Sequence, residues 1–274
     1  MIRKMTGCIG LLALLAATTP VRGDLLYGVD TTSDSFYTVD SVSGAVVVIG
    51  KLHPDSDRYT TPVAMAVRKS DGAIFVINNS PTSDEGLSTV NPLTGLATHI
   101  GIGGAGYGQA LAFDTSGNLY APDTNVGLIK IDPLTGFGTS VGGGPLPEEV
   151  QGLDFNAADG YLYGLSTNFL LVIDPSNAML VSTIPLSPGI VGAPQALVFL
   201  GDGTLIGSDL GTRLFDIDPA TGTMSNFRTV GLGLSPQGLG LATPVPEPST
   251  IALLAIGGLG LFGSWYRRKR SVQV

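Results

Sequence analysis

Between residues 60 and 242 one pattern of apolar and polar positions returns again and again. Four segments open on glutamine, a small residue and leucine: Gln109-Ala-Leu-Ala-Phe113, Gln151-Gly-Leu-Asp-Phe155, Gln195-Ala-Leu-Val-Phe199 and Gln237-Gly-Leu-Gly-Leu241. Their glutamines are 42, 44 and 42 residues apart, and Val63-Ala-Met-Ala-Val67 is a fifth copy with valine in the glutamine position. Each complete copy continues into a turn built on glycine (Gly72, Gly117, Gly160, Gly203) and a second apolar run: Ile74–Ile77, Leu119–Pro122, Leu162–Leu165 and Leu205–Ser208. A third run ends on an acid or amide, at Asn91, Asp132, Asp174 and Asp218. It leads into Asn91-Pro-Leu-Thr-Gly95, repeated as Asp132-Pro-Leu-Thr-Gly136 and Asp218-Pro-Ala-Thr-Gly222 and degraded at Asp174-Pro175-Ser-Asn-Ala178. In such a turn the acid or amide caps the chain, proline presets its backbone angle, and glycine takes the left-handed position before a fourth strand.

Four short strands, a to d, in a unit of about forty residues is the period of a β-propeller blade. Leu26-Tyr27-Gly28-Val29 reads as a strand b without its strand a, and Gln237–Leu241 as a strand a with no unit after it. Pairing the two completes a fifth blade and removes both sheet edges, whereas an open solenoid leaves edges that need caps. The expected fold class is therefore all-β, a five-bladed β-propeller closed by a composite N-/C-terminal blade, with a C-terminal transmembrane helix in addition. A narrow five-bladed axis suits the small second residue of every strand a: Ala64, Ala110, Gly152, Ala196 and Gly238.

Both ends carry a different pattern. Arg3 and Lys4 precede a short apolar run from Gly7 to Ala17, followed by a polar exit with small residues. That order describes a secretory signal peptide, expected over residues 1–23 and addressed to the Sec export machinery. Cleavage after Ala17 or Gly23 fits, and Gly23 is favoured because strand-like sequence begins at Leu25; a retained anchor is the alternative, but the run is short for a bilayer. Cys8 is the only cysteine and lies inside this segment, so the mature chain has no disulfide or thiolate chemistry. At the other end a proline-rich stalk, 244–249, holds Pro246, Glu247 and Pro248. Proline keeps such a stalk extended and open to an enzyme. An apolar stretch, 250–266, ends on Trp265 and Tyr266 and is long enough to span a bilayer as a helix. The aromatics suit the interface. Arg267, Arg268, Lys269 and Arg270 in the basic tail, 267–274, resist translocation and leave the C-terminus cytoplasmic, with residues 24–243 outside.

This order of parts resembles the PEP-CTERM sorting signal of Gram-negative bacteria, over about residues 245 to 270. The resemblance implies recognition of Pro246-Glu247-Pro248 by an exosortase, a membrane transpeptidase that cuts near the motif. It also implies a protein anchored in the inner membrane first, found at the cell surface or outside the cell after processing, and linked to extracellular polysaccharide and biofilm. An ordinary anchor with a proline stalk is the plainer alternative. The phrases Gly117-Asn-Leu-Tyr120 and Asp132-Pro-Leu-Thr-Gly136 are similar to those of extracellular propellers of the YVTN and NHL type, a likeness that bears on fold and not on activity.

Composition narrows the candidate chemistry. From Asp24 to Thr243 seven lysines and arginines face twenty-one acids, a net charge of −14, so no nucleic-acid partner is expected. In a propeller the a–b and c–d turns share one face, and the b–c and d–a loops share the other. The a–b and c–d turns here are short and stereotyped, so a ligand is expected on the opposite face. There the longer loops His53–Pro62, Asn78–Gly86 and Pro145–Val150 meet the glutamines and the residues ending strand b: Asp30, Asn78, Asp123, Ser166 and Asp209. Gln109, Gln151, Gln195 and Gln237 either line a channel mouth that binds sugar or water, or satisfy backbone groups of a neighbouring blade, as buried amides must. Asp30, Asp123 and Asp209 are candidate Ca²⁺ ligands, and Asx turns explain the same acids. Asp55 and Asp57 lack the glycine and distal glutamate of a calcium loop. No cofactor or metal site is expected. His53 and His99 are the only histidines, and no Gly-x-Ser-x-Gly elbow or His-rich metal motif is present. No catalytic residue is therefore assigned, and a non-enzymatic binding or structural role is expected. Paired loop carboxylates of a polysaccharide hydrolase or lyase are the alternative.

Overall fold

The computed structural model describes residues 23–54, 61–79, 86–101, 108–123, 125–190 and 192–242. The expected signal peptide up to residue 22, the stalk, the membrane helix and the basic tail lie outside the described residues. Among the described residues no helix is long and apolar enough to cross a membrane.

The architecture is an all-β, five-bladed propeller. The first blade comprises β4 (Thr61–Val67), β5 (Ile74–Asn79), β6 (Gly86–Val90) and β7 (Ala97–Gly101). The second holds β8 (Ala112–Phe113), β9 (Leu119–Asp123), β10 (Gly127–Ile131) and β11 (Gly138–Gly143), and the third β12 (Gly152–Asn156), β13 (Tyr161–Leu165), β14 (Phe169–Ile173) and β15 (Leu180–Pro185). In the fourth are β16 (Pro194–Phe199), β17 (Leu205–Asp209), β18 (Arg213–Ile217) and β19 (Met224–Thr229). The closing blade joins β20 (Gly238–Leu241) to β1 (Leu25–Asp30), β2 (Ser35–Asp40) and β3 (Val46–Lys51), in the order β20-β1-β2-β3.

The closing seam is antiparallel. Leu26 stands opposite Leu241 and Val29 opposite Gly238, and the pairing extends past both ends through Gln237 N–H to Val29 O and Ala242 N–H to Leu25 O. Inner strands touch in the cyclic order β20, β4, β8, β12, β16 and back to β20. The core is correspondingly divided into five apolar clusters, each between two adjacent blades. Phe75 and Phe113 meet between the first and second, and Tyr37 and Leu214 between the fourth and the closing blade. Burial of this alternating apolar face is what fixes each strand's register, because a slip of one residue would turn the whole set to solvent.

The small residues at the axis are a steric requirement. A Cβ added to Gly238 would lie 2.5 Å from the amide nitrogen of Met65, and one on Gly152 would lie 2.7 Å from the carbonyl carbon of Ala196. One expected strand is shorter than its repeat. The second blade's strand a, anticipated over Gln109–Phe113, pairs only at Ala112 and Phe113, and the ladder stops before Pro122, which has no amide hydrogen to give. The c–d turns form as expected. Gly95 and Gly136 adopt φ of 78° and 73°, and Asn91 and Asp132 accept the amides of Leu93 and Leu134. The same turn recurs unannounced in the closing blade at Asp40-Ser41-Val42-Ser43-Gly44, where Gly44 has φ 70°.

Candidate functional site

Strand a carries its glutamine to one end of the axis, and the structure brings Gln109, Gln151, Gln195 and Gln237 together around that mouth. Gln195 donates through Nε2 to its own neighbour's carbonyl, Pro194 O (2.7 Å), and to Oε1 of Gln151 (3.3 Å). Gln109 donates to Glu149 (3.0 Å) in the Pro145–Val150 loop. Below the glutamines, Met65, Leu111, Leu153, Leu197 and Leu239 close the channel, leaving about 10 Å³ for the centre of a water molecule. That is room for about one water. Gln195 and Gln151 thus link the fourth and third blades, and Gln109 reaches the loop that leads into the third.

The residues ending strand b point to scaffold roles. Asp30, 3% exposed, accepts the amide and hydroxyl of Ser33 and, through its other oxygen, the amide of Ser235 (2.9 Å), so it ties the closing blade's b–c turn to the segment before β20. Asp123 accepts the amides of Asn125 and Val126, an Asx turn. Asp209 is wholly buried and receives the guanidinium of Arg213, with Nε at 2.9 Å. An arginine therefore occupies the place a metal cation would take at Asp209. Asn78 donates to Ser88 (3.1 Å), and Ser166 to Glu148 (2.7 Å). Burial works to raise the Glu148 carboxyl, but bonds from Asn168 and Ser166 outweigh it and hold the group below its ordinary value. His53 meets Asp34 through Nδ1 at 3.1 Å. The loops 54–61 and 79–86 are described only at their ends, and Asp55 and Asp57 lie outside the described residues.

The opposite end of the axis holds a residue that pattern reading passes over. Asp154 takes the fourth position of strand a, where the other copies have Ala66, Ala112, Val198 and Gly240. It lines a second small axial cavity together with Lys69. Its carboxylate accepts the amides of Phe199 (2.6 Å) and Phe155 (2.8 Å). Burial pushes its pKa above the ordinary aspartate value, while Lys69 and the two amides oppose that shift. The one signal in the sequence was an acid in a position otherwise filled by small or apolar residues.

Comparison with known proteins agrees with both halves of this description. Residues 244–270 match the PEP-CTERM protein-sorting motif. No curated protein matches the chain. Among solved structures, a nidogen/laminin complex is similar over 80% of this chain and 98% of its own, at 10% identity and a TM-score of 0.57. A structural-genomics protein of unknown function from Bacteroides thetaiotaomicron VPI-5482 is similar over 76% of this chain at 16% identity and a TM-score of 0.50, and this chain covers 58% of it. At such identities the likeness concerns the fold alone. The molecule is a five-bladed β-propeller with a sorting motif following its closing strand. It carries the PEP-CTERM signal of an exported protein that is membrane-anchored before exosortase processing.

Proposed function

We propose that this protein is a non-enzymatic binding or structural module of the cell surface, delivered through Sec and exosortase and associated with extracellular polysaccharide of the biofilm matrix. The observation that carries the reading is the junction between domain and motif. Ala242 is still bonded to Leu25 in the closing blade, and the sorting motif begins at residue 244. A cut at Pro246-Glu247-Pro248 would then release a closed ring whose first and last strands stay paired, a form suited to life outside the cell. A net charge of −14 over residues 24–243 favours solubility and neutral or cationic partners over anionic ones.

Two measurements test this. Replacing Pro246, Glu247 and Pro248 with alanine should leave an unprocessed, membrane-retained protein; processing and release at the parental rate would sink the sorting half. A pull-down against the producing organism's own matrix polysaccharide should retain the protein without releasing reducing ends. No retention, or steady release of reducing ends, would overturn the non-enzymatic binding half.

A further inference from the structure

The closing strand delivers the chain to one particular face. β20 starts beside the glutamine mouth and ends beside the first residue of β1, where Ala242 N–H donates to Leu25 O at 2.9 Å. That end lies on the face of the a–b and c–d turns. The stretch expected to cross the bilayer, 250–266, starts eight residues after Ala242. The seven residues between them, 243–249, can reach at most about 25 Å. To set the opposite face on the membrane, the chain would have to pass outward over three strand spacings, about 14 Å, and then down a strand of six residues, about 20 Å. The tether is too short for that route. The anchored ring therefore turns its a–b and c–d turns towards the bilayer.

The same face carries apolar side chains that the fold does not use. In every c–d turn the third residue gives its amide to the capping acid or amide, at 2.8–3.1 Å. The third and fourth blades make this turn with Ser176 and Ala220, so the bond is indifferent to the side chain at the tip. The closing, first and second blades, which adjoin one another around the ring, place Val42, Leu93 and Leu134 there, 53%, 80% and 85% exposed. Leu96, Phe137 and Met179, one place past the turn glycine or its counterpart, are exposed as well. Single surface leucines need no explanation, but a run of apolar tips on the one face that a short tether holds to a membrane does.

The acids that cap these turns, Asp40 and Asp132 among them, offer no attraction to anionic headgroups. The contact is therefore hydrophobic, with side chains entering the boundary between headgroups and acyl chains. We propose that, while anchored, the ring docks on the lipid bilayer through the turn tips Val42, Leu93 and Leu134. Docking this way aims the glutamine mouth and the longer b–c and d–a loops away from the membrane, and cutting at the sorting motif frees the tips again. The inference rests on the membrane-anchored state that the motif implies, and gives that state an orientation.

The test uses the full chain in a Cys8→Ser background, embedded one copy per disc in phosphatidylcholine nanodiscs. A fluorescent label is attached to single cysteines made by Leu93→Cys, Leu134→Cys and, as the control, Leu210→Cys, a residue 52% exposed in the fourth blade's b–c turn on the opposite face. Nitroxide-bearing lipids should quench the labels at 93 and 134 at least threefold more than the label at 210, in low and high salt alike. Leu93→Ser combined with Leu134→Ser should at least halve the quenching of a label at Val42→Cys while leaving Tm unchanged; leucines needed by the fold would lower Tm instead. Equal quenching at all three positions, or stronger quenching at 210, would overturn the docking and leave the anchor reading intact. Loss of the chain from the discs would overturn the anchor reading and the docking with it. Shielding of the tips only in discs that hold two copies would assign them to self-association and likewise overturn the proposal.

Discussion

The carboxylate of Asp154 accepts the backbone amide of Phe199, 45 residues further along the chain, at 2.6 Å. The bond crosses from the inner strand of the third blade to that of the fourth, at a position where the other blades use alanine, valine or glycine. Burial raises the pKa of this acid despite the opposing Lys69 and amides. The folded protein therefore holds the proton at a higher pH than the unfolded chain. The stability linked to that proton is fully present below the ordinary aspartate pKa of 3.8 and is lost as pH rises through the raised folded value. Asp154→Asn keeps an oxygen acceptor for Phe199 and removes the charge. It should raise Tm at pH 7 by about 2–4 °C, the equivalent of roughly 1 kcal/mol for a domain of this size. The gain should vanish below pH 3.8. A lower Tm at pH 7 would show that the ionised carboxylate stabilises the ring.

The Asp209–Arg213 pair yields a second expectation. Asp209 is wholly buried, so Arg213→Ala strands a charge inside the b–c hairpin of the fourth blade. Breaking such a pair from one side costs about 3–5 kcal/mol, because the remaining ion is left unpaired. Arg213→Ala should therefore be strongly destabilised in urea titrations, and the double variant Asp209→Asn/Arg213→Ala should recover more than half of the loss. Additive losses would show that the two side chains act independently.

Calcium provides a third. Asp30, Asp123 and Asp209 direct their oxygens to amides, a hydroxyl and a guanidinium. A ligand that binds only the folded state must raise Tm. Millimolar Ca²⁺ or EDTA should move Tm by less than about 1 °C, the scale of a surface-level effect in a domain of this size. A rise of several degrees with Ca²⁺ would require these acids to exchange their present partners for the ion.

Much of the fold was legible because a propeller writes its architecture into local patterns. The glutamine–small–leucine phrase fixed the period, and the unmatched strands Leu26–Val29 and Gln237–Leu241 specified the closing seam that the structure shows. The turn chemistry around Asn91, Asp132 and Asp218 was equally local. The site was far less legible. Asp209's partner is four residues away across a hairpin, Asp154's partner lies in another blade, and the row of exposed tips at Val42, Leu93 and Leu134 exists only where three blades are brought side by side. Periodicity reports which positions are buried, not which lone pair a buried group finds. The closing blade's turn at Asp40–Gly44 escapes the pattern because serine stands where the other four copies have proline.

Packing at the axis can be tested by adding volume. Gly152 and Gly238 have neighbouring backbone closer than 3 Å to any added Cβ, so relief requires two inner strands to move apart. Overpacking a close-packed site typically costs 1–3 kcal/mol, and valine at either position should reach about the upper end. Gly189, which has open space around it, supplies the control: Gly189→Ala should stay within about 0.5 kcal/mol of the parent. Equal stability for Gly152→Val and Gly189→Ala would mean the ring is loose at its centre.

The alkaline limit of the fold should be set by tyrosines that repeat with the blades. Tyr120 and Tyr163 occupy the same place in strand b, and each hydroxyl donates back to the acid of its own a–b turn, Asp114 at 3.4 Å and Asp159 at 2.7 Å. Burial first, and then the charge and hydrogen bond of that acid, raise both phenols from 10.0 to about 12. The neutral phenol is the form the fold favours, so its contribution is complete below pH 10 and disappears as pH rises through about 12. Absorbance at the phenolate band should therefore rise in two stages, an early one from exposed tyrosines and a late one that coincides with loss of β-structure by circular dichroism. Tyr120→Phe and Tyr163→Phe should each remove amplitude from the late stage only. Asp159→Asn, which takes away the charge but leaves an oxygen acceptor, should move part of that amplitude to lower pH. Loss of early amplitude in either phenylalanine variant would place these rings in water and contradict the packing of the blades around them.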